Sequence, residues 1–550
     1  MNDIQVRYSD KSLYCPYGTI ADTVLDELSI DRAAITALKV NNEIRPLKTR
    51  LKMNSVLEPV LPNSPEGAMI YRRSLAFLLA LAARSLFPSR RLYIGHSLGN
   101  SYYYTINSED MLREDEIAAL QEEMKSLIKK DLPITFKSLA YEEALEVFSA
   151  NQQTDTVLLL DQRSTSSIKV NECSGFLDIY VEPLVPRTGL LSSFELMPYQ
   201  EGFLLRFPAV GSDKSIEPYE DQPNLFAVYH EYKQWGRMVG VRVVGDLNAM
   251  IANRTIRNYI RVAEAHQARK IAQVAEKIYD SKDIKMVLLA GPSSSGKTTS
   301  AKKLSIELMV LGINPLAISL DDFFVGTEKT PKDEKGEPDY ECLEALNIEL
   351  LNDLLQALYR GEEVTLPFYD FKTGTSRENG GKKIRLEANT VLIVEGIHAL
   401  NDALTPSIAR NTKFKLYVSA LTQLNLDDHN RIPTSDNRLL RRMVRDYQFR
   451  AKDAAATIKM WPSVQAGERK HIFPFQSNAD AALNSALDYE LSVLKYYADP
   501  LLRAVKPGKR EYAEAVRLLS FLENFAPIPP QYVPGTSILR EFIGDSEFKY

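Results

Sequence analysis

Cysteine is scarce in this chain of 550 residues. The three cysteines, Cys15, Cys173 and Cys342, lie far apart and include no CxxC pair. The sequence therefore indicates neither a disulfide framework nor a zinc ribbon. This use of cysteine fits a reducing compartment, so we expect a cytoplasmic protein.

Long apolar runs and an excess of positive charge are also missing. The N-terminus, MNDIQVRYSD, has no apolar segment typical of a signal peptide, and the longest apolar stretch, near 75–83, is interrupted by Arg84. That stretch is too short to cross a bilayer, so we expect neither export nor a membrane anchor. The net charge of -5 and the pI near 5.9 argue against broad nucleic-acid affinity, which leaves only a local basic patch for RNA.

The length of the chain predicts several domains rather than one. Residues 1–60 are expected to form a small α+β unit and residues 65–245 a second one, in which the run TVLLLD is interpreted as a strand. Apolar residues at helical spacing predict a linker helix over 246–282. Residues 283–506 form the next predicted domain, and 507–550 a C-terminal tail.

The segment 283–506 alternates apolar strands with helical patterns. The strands are expected at MVLLAG, PLAISL, VLIVEGI and FKLYVSA. This alternation predicts an α/β domain in which helices cover both faces of a parallel sheet.

A glycine-rich run, GPSSSGKTT at 291–299, lies between the first of these strands and a helical pattern. Gly291 and Gly296 allow backbone amides to turn toward a phosphate, Lys297 reaches the β- and γ-phosphates, and Thr298 offers a hydroxyl to Mg²⁺. A chance match in a turn is the alternative, but the flanking strand and helix favour an ATP-binding loop. The residues expected to bind the nucleotide are Gly291, Ser293, Ser294, Ser295, Gly296, Lys297, Thr298 and Thr299.

Acidic residues follow two of the predicted strands. Asp321 and Asp322 come after PLAISL, and Glu395 comes after VLIV. Open α/β sheets bind ligands at these strand ends, and phosphoryl transfer needs carboxylates for the metal and for the attacking hydroxyl. Solvated strand ends are the alternative for each residue alone. The sequence does not decide whether Asp321 or Asp322 is the base.

Arginines are concentrated in one predicted helix. They are Arg438, Arg441, Arg442, Arg445 and Arg450. Their spacing brings most of them onto neighbouring helix positions, where they could stabilise charge on a transferred phosphoryl group. The alternative is a solvated basic face paired with Asp446 and Asp453.

Residues from about 285 to 500 resemble the uridine kinase and phosphoribulokinase family of P-loop kinases. The resemblance rests on five runs in the family's order, GPSSSGKT, LDDFF, PFYDF, VEGI and RRMVRD. It implies that Asp321 is the base and that Glu395 assists magnesium. It also implies that Glu341 and Tyr369 bind the substrate, with Arg442 and Arg445 near the substrate and phosphates.

The same resemblance fails at two places that matter for the acceptor. Family members carry a base-reading histidine shortly after the YDF motif, where this chain has YDFKTGTSR with Gly374 near that place, and a glutamine farther along is replaced by Met460. A site that has lost two hydrogen-bonding groups cannot be assumed to select the same base. Uridine is therefore the leading expectation and not a conclusion.

The N-terminal part resembles threonyl-tRNA synthetase. Residues 1–60 are similar to its TGS domain, of β-grasp form, and 65–240 to its editing domain, through YRRSLAFLLALAARSLFP, LYIGHSLGNSYYY and NECSGFLDIYVEPLVPRTG. The positions of the synthetase's editing residues hold Arg73, Phe77, Cys173 and Leu177. One thiol cannot assemble a zinc site, so we expect no editing activity. For the isolated His96 and His398 a structural role is expected.

Together these features predict an ATP- and Mg²⁺-dependent kinase of a nucleoside-like acceptor, similar to uridine/cytidine kinases. Two alternatives stay open, a kinase of a non-nucleoside, sugar-like acceptor and an RNA-binding regulator switched by a nucleotide. The sequence does not give the oligomeric state.

Overall fold

The computed structural model describes residues 3–106, 111–179, 182–212, 215–332, 336–370, 373–387 and 389–549. Phe371 of the PFYDF run, and Tyr180 and Val181 of the run NECSGFLDIYVEPLVPRTG, lie outside the described residues. Among the helices described, none is long and apolar enough to span a membrane.

The N-terminal unit, 3–60, is a mixed five-stranded sheet with one helix. Its elements are β1 (Asp3–Tyr8), β2 (Lys11–Pro16), α1 (Ala21–Glu27), β3 (Ala37–Val40), β4 (Glu43–Arg45) and β5 (Ser55–Val60). The strand order is β2-β1-β5-β3-β4, with β1 and β5 parallel. Val24 and Leu25 of α1 join Val6 and Leu38 of the strands in one buried core.

The middle unit, 65–245, has two antiparallel sheets, ordered β10-β9-β8 and β11-β12-β7-β6. Its elements are α2 (Pro65–Leu86), β6 (Leu92–Ser97), β7 (Ser101–Ile106), α3 (Glu114–Lys129), β8 (Thr135–Ala140), α4 (Tyr141–Ala150), α5 (Thr154–Asp161), β9 (Ser167–Cys173), β10 (Phe176–Ile179), β11 (Glu195–Tyr199), β12 (Gly202–Arg206) and α6 (Pro223–Val239). The run TVLLLD, expected as a strand, is helix α5. A short continuous apolar run does not distinguish the two structures, and here Leu158 packs against Gly245.

Two helices stand where the sequence indicated a single linker helix. They are α7 (Val244–Ala252) and α8 (Ile256–Asp280). Arg254 between them has φ of 61°, a left-handed conformation that ends a helix. The second helix also belongs to the hydrophobic core of the next unit, because its Ile271 and Val274 pack with Leu304 and Leu308.

The C-terminal unit, 283–549, contains the predicted parallel sheet, in the order β14-β19-β13-β20-β21. Its elements are β13 (Met286–Ala290), α9 (Lys297–Val310), β14 (Asn314–Ser319), α10 (Ile348–Tyr359), β15 (Val364–Thr365), β16 (Phe368–Asp370), β17 (Thr375–Arg377), β18 (Lys383–Ile384), β19 (Thr390–Glu395), β20 (Lys413–Ser419), α11 (Thr434–Arg450), α12 (Ala454–His471), β21 (Ala481–Asn484), α13 (Glu490–Arg503), α14 (Tyr512–Leu522) and α15 (Arg540–Ile543). Separate cores lie on the two faces, one with α8 and α9 and the other with α10. The P-loop kinase fold expected for this unit is present.

The middle and C-terminal units share a hydrophobic core. Phe148 and Val170 of the middle unit lie in the same buried cluster as Leu440, Leu494 and Leu518 of the C-terminal unit. The two units therefore pack against each other and are not joined only by a linker.

Candidate active site

The glycine-rich run forms a tight loop between β13 and α9. Ser294 and Gly296 have φ of 58° and 81°, and a side chain on Gly291 would place its Cβ 2.0 Å from the Val418 carbonyl oxygen. Both effects require small residues here. The Lys297 Nζ donates to the carbonyls of Gly291 and Pro292, at 3.0 and 3.2 Å. The lysine therefore closes the loop on itself.

Three arginines of α11 form hydrogen bonds with this loop. Arg438 Nε donates to the Ser293 carbonyl at 2.9 Å, and Arg441 Nη1 donates to the Ser294 carbonyl at 3.3 Å. Arg442 Nη1 donates to Ser293 Oγ at 2.8 Å. A solvated basic face is therefore the wrong description of these three residues.

Buried carboxylates pair with the same arginines. Arg438 forms an ion pair with Glu468, whose Oε1 also accepts from the Ser293 N–H at 3.0 Å. Arg441 Nε donates to Glu490 at 2.9 Å, and both side chains are almost fully enclosed. Arg438 and Arg441 thus fix the shape of the loop and do not reach toward a bound nucleotide.

Arg445 and Arg450 have different surroundings. Burial and the neighbouring Arg450 lower the pKa of Arg445 to about 10. Its Nη1 lies 3.8 Å from Glu541, a residue of the C-terminal tail. Arg450 is 42% exposed and pairs with the buried Asp446 at 3.4 Å, so among these arginines it comes nearest to the alternative of a solvated basic face.

Glu395 lies where the sheet meets the loop. Its Oε1 accepts from Thr298 Oγ1 at 3.2 Å and from Ser319 Oγ at 3.1 Å. Burial, followed by the charge of Asp321, raises the pKa of Glu395 to about 7. The strand pairing explains the meeting, because β19 lies between β13 and β14 and all three end at the same edge.

Asp321 and Asp322 face different partners. Asp321 is exposed, and its negative charge acts on Lys297 and Glu395. Asp322 accepts a hydrogen bond from the Tyr369 backbone, and burial raises its pKa. Asp321 therefore lies close enough to the phosphate loop for its charge to act there, whereas Asp322 contacts the backbone of Tyr369.

Glu341 lies close enough to the loop for the charges of Lys297 and Arg442 to act on it. Burial and the charge of Glu468 raise the pKa of Glu341 to about 7, while Arg442 and Lys297 act in the opposite direction. Gly467 of α12 allows this approach, because a Cβ there would lie 2.5 Å from the Glu341 Cβ.

The wall around Tyr369 is closed at the position of the missing histidine. Tyr369 is buried with its ring 5.3 Å from that of Phe324. Gly374 has φ of +68°, and a Cβ there would lie 2.2 Å from Thr327 Oγ1, which hydrogen-bonds the Tyr340 hydroxyl at 2.8 Å. A side chain at 374 would therefore clash with this pair.

Met460 contributes nothing visible to that wall. It is 36% exposed, and its sulfur contacts Lys452 Nζ at 3.5 Å.

The four positions that correspond to editing residues do not form a polar site. They are Arg73, Phe77, Cys173 and Leu177. Arg73 pairs with Glu182, the Phe77 ring lies 5.1 Å from that of Phe176, and Cys173 and Leu177 are buried. No group of three His, Cys, Asp or Glu side chains suited to a metal occurs among the described residues. His96 and His398 are buried next to the rings of Tyr229 and His471.

Two residues at the site carried no sequence signal. Glu468 binds the Ser293 amide, and Glu541 binds the Thr299 amide at 3.2 Å. They lie 175 and 242 residues from their partners in the chain. No local pattern could have paired them.

Residues 286–492 match the model of the Phosphoribulokinase / Uridine kinase family. These residues form a domain of that family. The kinase-family domain begins at the first residue of β13 and ends within α13, so it includes the phosphate loop, both acidic strand ends and the arginine helix. The tail with Glu541 lies beyond the match.

The N-terminal region is similar to threonine–tRNA ligases. The protein of Desulforamulus reducens is 36% identical over 160 residues, which are 29% of this chain and 25% of that protein. The protein of Francisella tularensis subsp. novicida is 29% identical over 168 residues, 30% of this chain and 26% of that protein. The chain thus spans about a quarter of the length of the curated relatives it matches.

A solved structure titled as a possible uridine kinase from Bacillus stearothermophilus is 20% identical, with a TM-score of 0.25. That similarity covers 36% of this chain and 89% of the other.

Proposed function

We propose that this protein transfers the γ-phosphoryl group of ATP to a hydroxyl of a small acceptor. One observation carries the proposal: Lys297 and Thr298 of the phosphate loop lie next to Glu395, with Asp321 facing the same space. A phosphate-binding loop facing carboxylates at neighbouring strand ends is the arrangement that phosphoryl transfer requires. The family match of residues 286–492 supports the same reading.

On the donor side, the loop amides and Lys297 would hold the phosphates. Thr298, Glu395 and Ser319 bring oxygen donors together, the ligands that Mg²⁺ prefers, so we assign the metal to Thr298 and Glu395. When bound, magnesium supplies positive charge to the phosphate oxygens. Arg442 and Arg445 would stabilise the charge that develops on the transferred group.

On the acceptor side, Asp321 would act as the base. Its carboxylate would take the proton of the acceptor hydroxyl as that oxygen bonds to the γ-phosphorus, while the bond from that phosphorus to the β–γ bridging oxygen breaks and ADP leaves. Asp322 accepts a hydrogen bond from the Tyr369 backbone and would instead position the wall of the site around Tyr369.

A nucleoside of the uridine or cytidine type is the leading acceptor, with Glu341 and Tyr369 as its contacts. A sugar-like acceptor without a base is the second candidate, and the closed wall at Gly374 favours it. Without a polar group at this position, the site has lost one means of reading a base.

An RNA-binding regulator that uses the nucleotide as a switch is a different class of function. The similarity of the N-terminal region to threonine–tRNA ligases favours it. TGS-like and editing-like roles for residues 1–60 and 65–245 belong to this candidate. It predicts salt-dependent tRNA binding, and ATP hydrolysis that needs no small acceptor.

The test is ADP release from ATP and Mg²⁺, measured against a panel of nucleosides and of sugars and polyols. The kinase proposal predicts release that depends on one class of acceptor. Release only with nucleosides would remove the sugar-like candidate, and the reverse would remove uridine. Release that ignores every acceptor but responds to tRNA would favour the regulator.

A further inference from the structure

The C-terminal tail of the chain packs against the phosphate loop and its arginine helix. Ile538 lies against Gly296, since a Cβ on that glycine would be 2.6 Å from Ile538 Cγ2. Phe542 is buried beneath Arg441, whose guanidinium lies 4.9 Å from the ring centre. Two apolar anchors thus hold the tail over the start of α9.

Between these anchors, Glu541 binds the first turn of α9. Its Oε2 accepts from the Thr299 N–H at 3.2 Å and from Thr299 Oγ1 at 2.7 Å. Its Oε1 lies 3.8 Å from Arg445 Nη1. The Glu541 charge also acts on Lys297 and Glu395, so this carboxylate lies inside the site.

The Thr299 amide belongs to the set of N–H groups that a phosphate loop and its helix offer to a nucleotide. A carboxylate and a phosphate oxygen are both anionic acceptors, and one N–H donor cannot serve both well. We propose that Glu541 competes with a nucleotide phosphate for Thr299, so that ATP binding must displace this side chain from the loop.

The displacement requires little movement of the tail. Ile538 and Phe542 are fully buried and can remain in place, while the longer Glu541 side chain rotates about its own bonds. The same rotation would release Arg445 from Glu541 and leave that guanidinium free to meet the incoming phosphate. Glu541 thus keeps Thr299 and Arg445 occupied until a nucleotide replaces it.

The test compares Glu541→Gln with Asp545→Asn. Both remove one negative charge from the same tail, but Asp545 is almost fully exposed and only pairs with Arg540 at 3.8 Å. Calorimetric titration with Mg·ATP, without acceptor, should give about tenfold tighter binding for Glu541→Gln. Asp545→Asn should bind like the parent. Unchanged or weaker binding in a folded Glu541→Gln protein would overturn the competition.

Hydrogen exchange on the unaltered protein keeps the proposal testable should Glu541→Gln fail to fold. Ile538 and Phe542 keep the average position of the tail, but without the Glu541 contacts to Thr299 and Arg445 the tail opens locally more often. Saturating Mg·ATP should therefore speed exchange of the backbone amides of 540–544 relative to the free protein. Unchanged or slower exchange there would contradict displacement.

The inference rests on the proposed nucleotide binding at the loop, and Lys297→Ala separates the two. If Lys297→Ala binds Mg·ATP as well as the parent does, the loop is not the nucleotide site and both proposals fail. If Lys297→Ala loses binding and Glu541→Gln leaves it unchanged, only the competition is refuted.

Discussion

The Lys297 ammonium and several carboxylates share the space next to the phosphate loop. Burial lowers the pKa of Lys297, whereas the charges of Glu395, Asp321 and Glu541 raise it. Carboxylates this close repel one another, and a divalent cation at Glu395 would relieve that repulsion. We therefore expect ATP and magnesium to bind together rather than separately.

The first prediction separates the two neighbouring aspartates. Asp321→Asn should lower kcat by about 10²- to 10⁴-fold, because the base is lost, and should leave ATP affinity nearly unchanged. Asp322→Asn is the matched control and should change KM for the acceptor more than kcat, since Asp322 binds the Tyr369 backbone. Steady-state kinetics with the acceptor from the panel decides. Full turnover in Asp321→Asn would remove Asp321 from the mechanism.

The second prediction concerns Gly374, where the expected histidine is absent. Gly374→Ala adds a left-handed strain and a clash with Thr327, so it should destabilise the fold by about 2 kcal/mol and raise the acceptor KM. Gly361→Ala is the control, because Gly361 has φ of +83° with open space around it. Gly361→Ala should destabilise the fold by about 1 kcal/mol without a change in the acceptor KM. Urea unfolding and kinetics measure both, and equal effects would show that the wall at 374 is not tightly closed.

Helices α11 and α12 fix the phosphate loop through one buried ion pair. Arg438 binds the Ser293 carbonyl and Glu468 binds the Ser293 amide. Both side chains are at most 5% exposed. A small shift of either helix would therefore change the orientation of the loop amides, which links helix packing to nucleotide affinity.

The third prediction follows from this pair. Arg438→Met leaves the Glu468 charge buried and unpaired, so it should destabilise the protein by about 3 to 5 kcal/mol and weaken ATP binding. Arg438→Met combined with Glu468→Met should be less destabilising than the single change. Arg450→Met, on the exposed side of the same helix, should cost less, about 1 kcal/mol, because Asp446 keeps its pair with Arg442 at 3.3 Å. Chemical denaturation of all three variants decides, and a double variant that loses as much stability as Arg438→Met, or more, would show that the buried Glu468 charge is not the cause.

For helices and strands, the sequence predicts the structure where the pattern is local. Alternating strands and helices predicted the parallel sheet, and strand ends brought Glu395 to Thr298. The run TVLLLD and the break at Arg254 were missed, because a short apolar run fits two structures and a single left-handed residue leaves no periodic trace. Glu468 and Glu541 could not be predicted, since only tertiary packing brings them to the loop.

In the whole molecule, a loop of the C-terminal unit inserts into the middle unit. Asp428 of this loop pairs with Arg91, with Nε at 3.1 Å, and its carbonyl accepts from the Ile94 N–H at 2.8 Å. His429 Nδ1 lies 2.8 Å from Asp178. The middle unit therefore places buried charges against the kinase-family domain, which ties the stability of the pair to pH.

His429 sets the sign of the pH dependence of this stability. Burial lowers the pKa of His429, but Asp178 and the nearby Asp428 and Asp427 outweigh it and raise the pKa to about 9. An unfolded histidine titrates near about 6.5, so this stabilisation is complete below about pH 6.5 and is lost as pH rises through about 9. The free energy of unfolding of the parent, measured by thermal and urea unfolding, should therefore fall between pH 7 and pH 9.5, by at most about 3 kcal/mol.

His429→Gln should remove this part of the pH dependence. His230→Gln is the matched control, because His230 of α6 is partly exposed, contacts Gln234 at 2.7 Å, and faces an exposed carboxylate, Glu201 at 3.8 Å, in place of the buried Asp178. It should keep the slope of the parent. A His429→Gln protein that loses stability with pH as steeply as the parent would show that the pair does not couple the two units to pH.

The proposed kinase passes the γ-phosphoryl group to a hydroxyl of a small molecule and not to water. The most direct measurement follows γ-labelled ATP with magnesium and the active acceptor, and asks by mass spectrometry or NMR where the label is found. Transfer to the acceptor should give a labelled phosphate ester of the acceptor and unlabelled ADP, both lost in Lys297→Ala. Label found only in inorganic phosphate, at the same rate with and without acceptor, would contradict it.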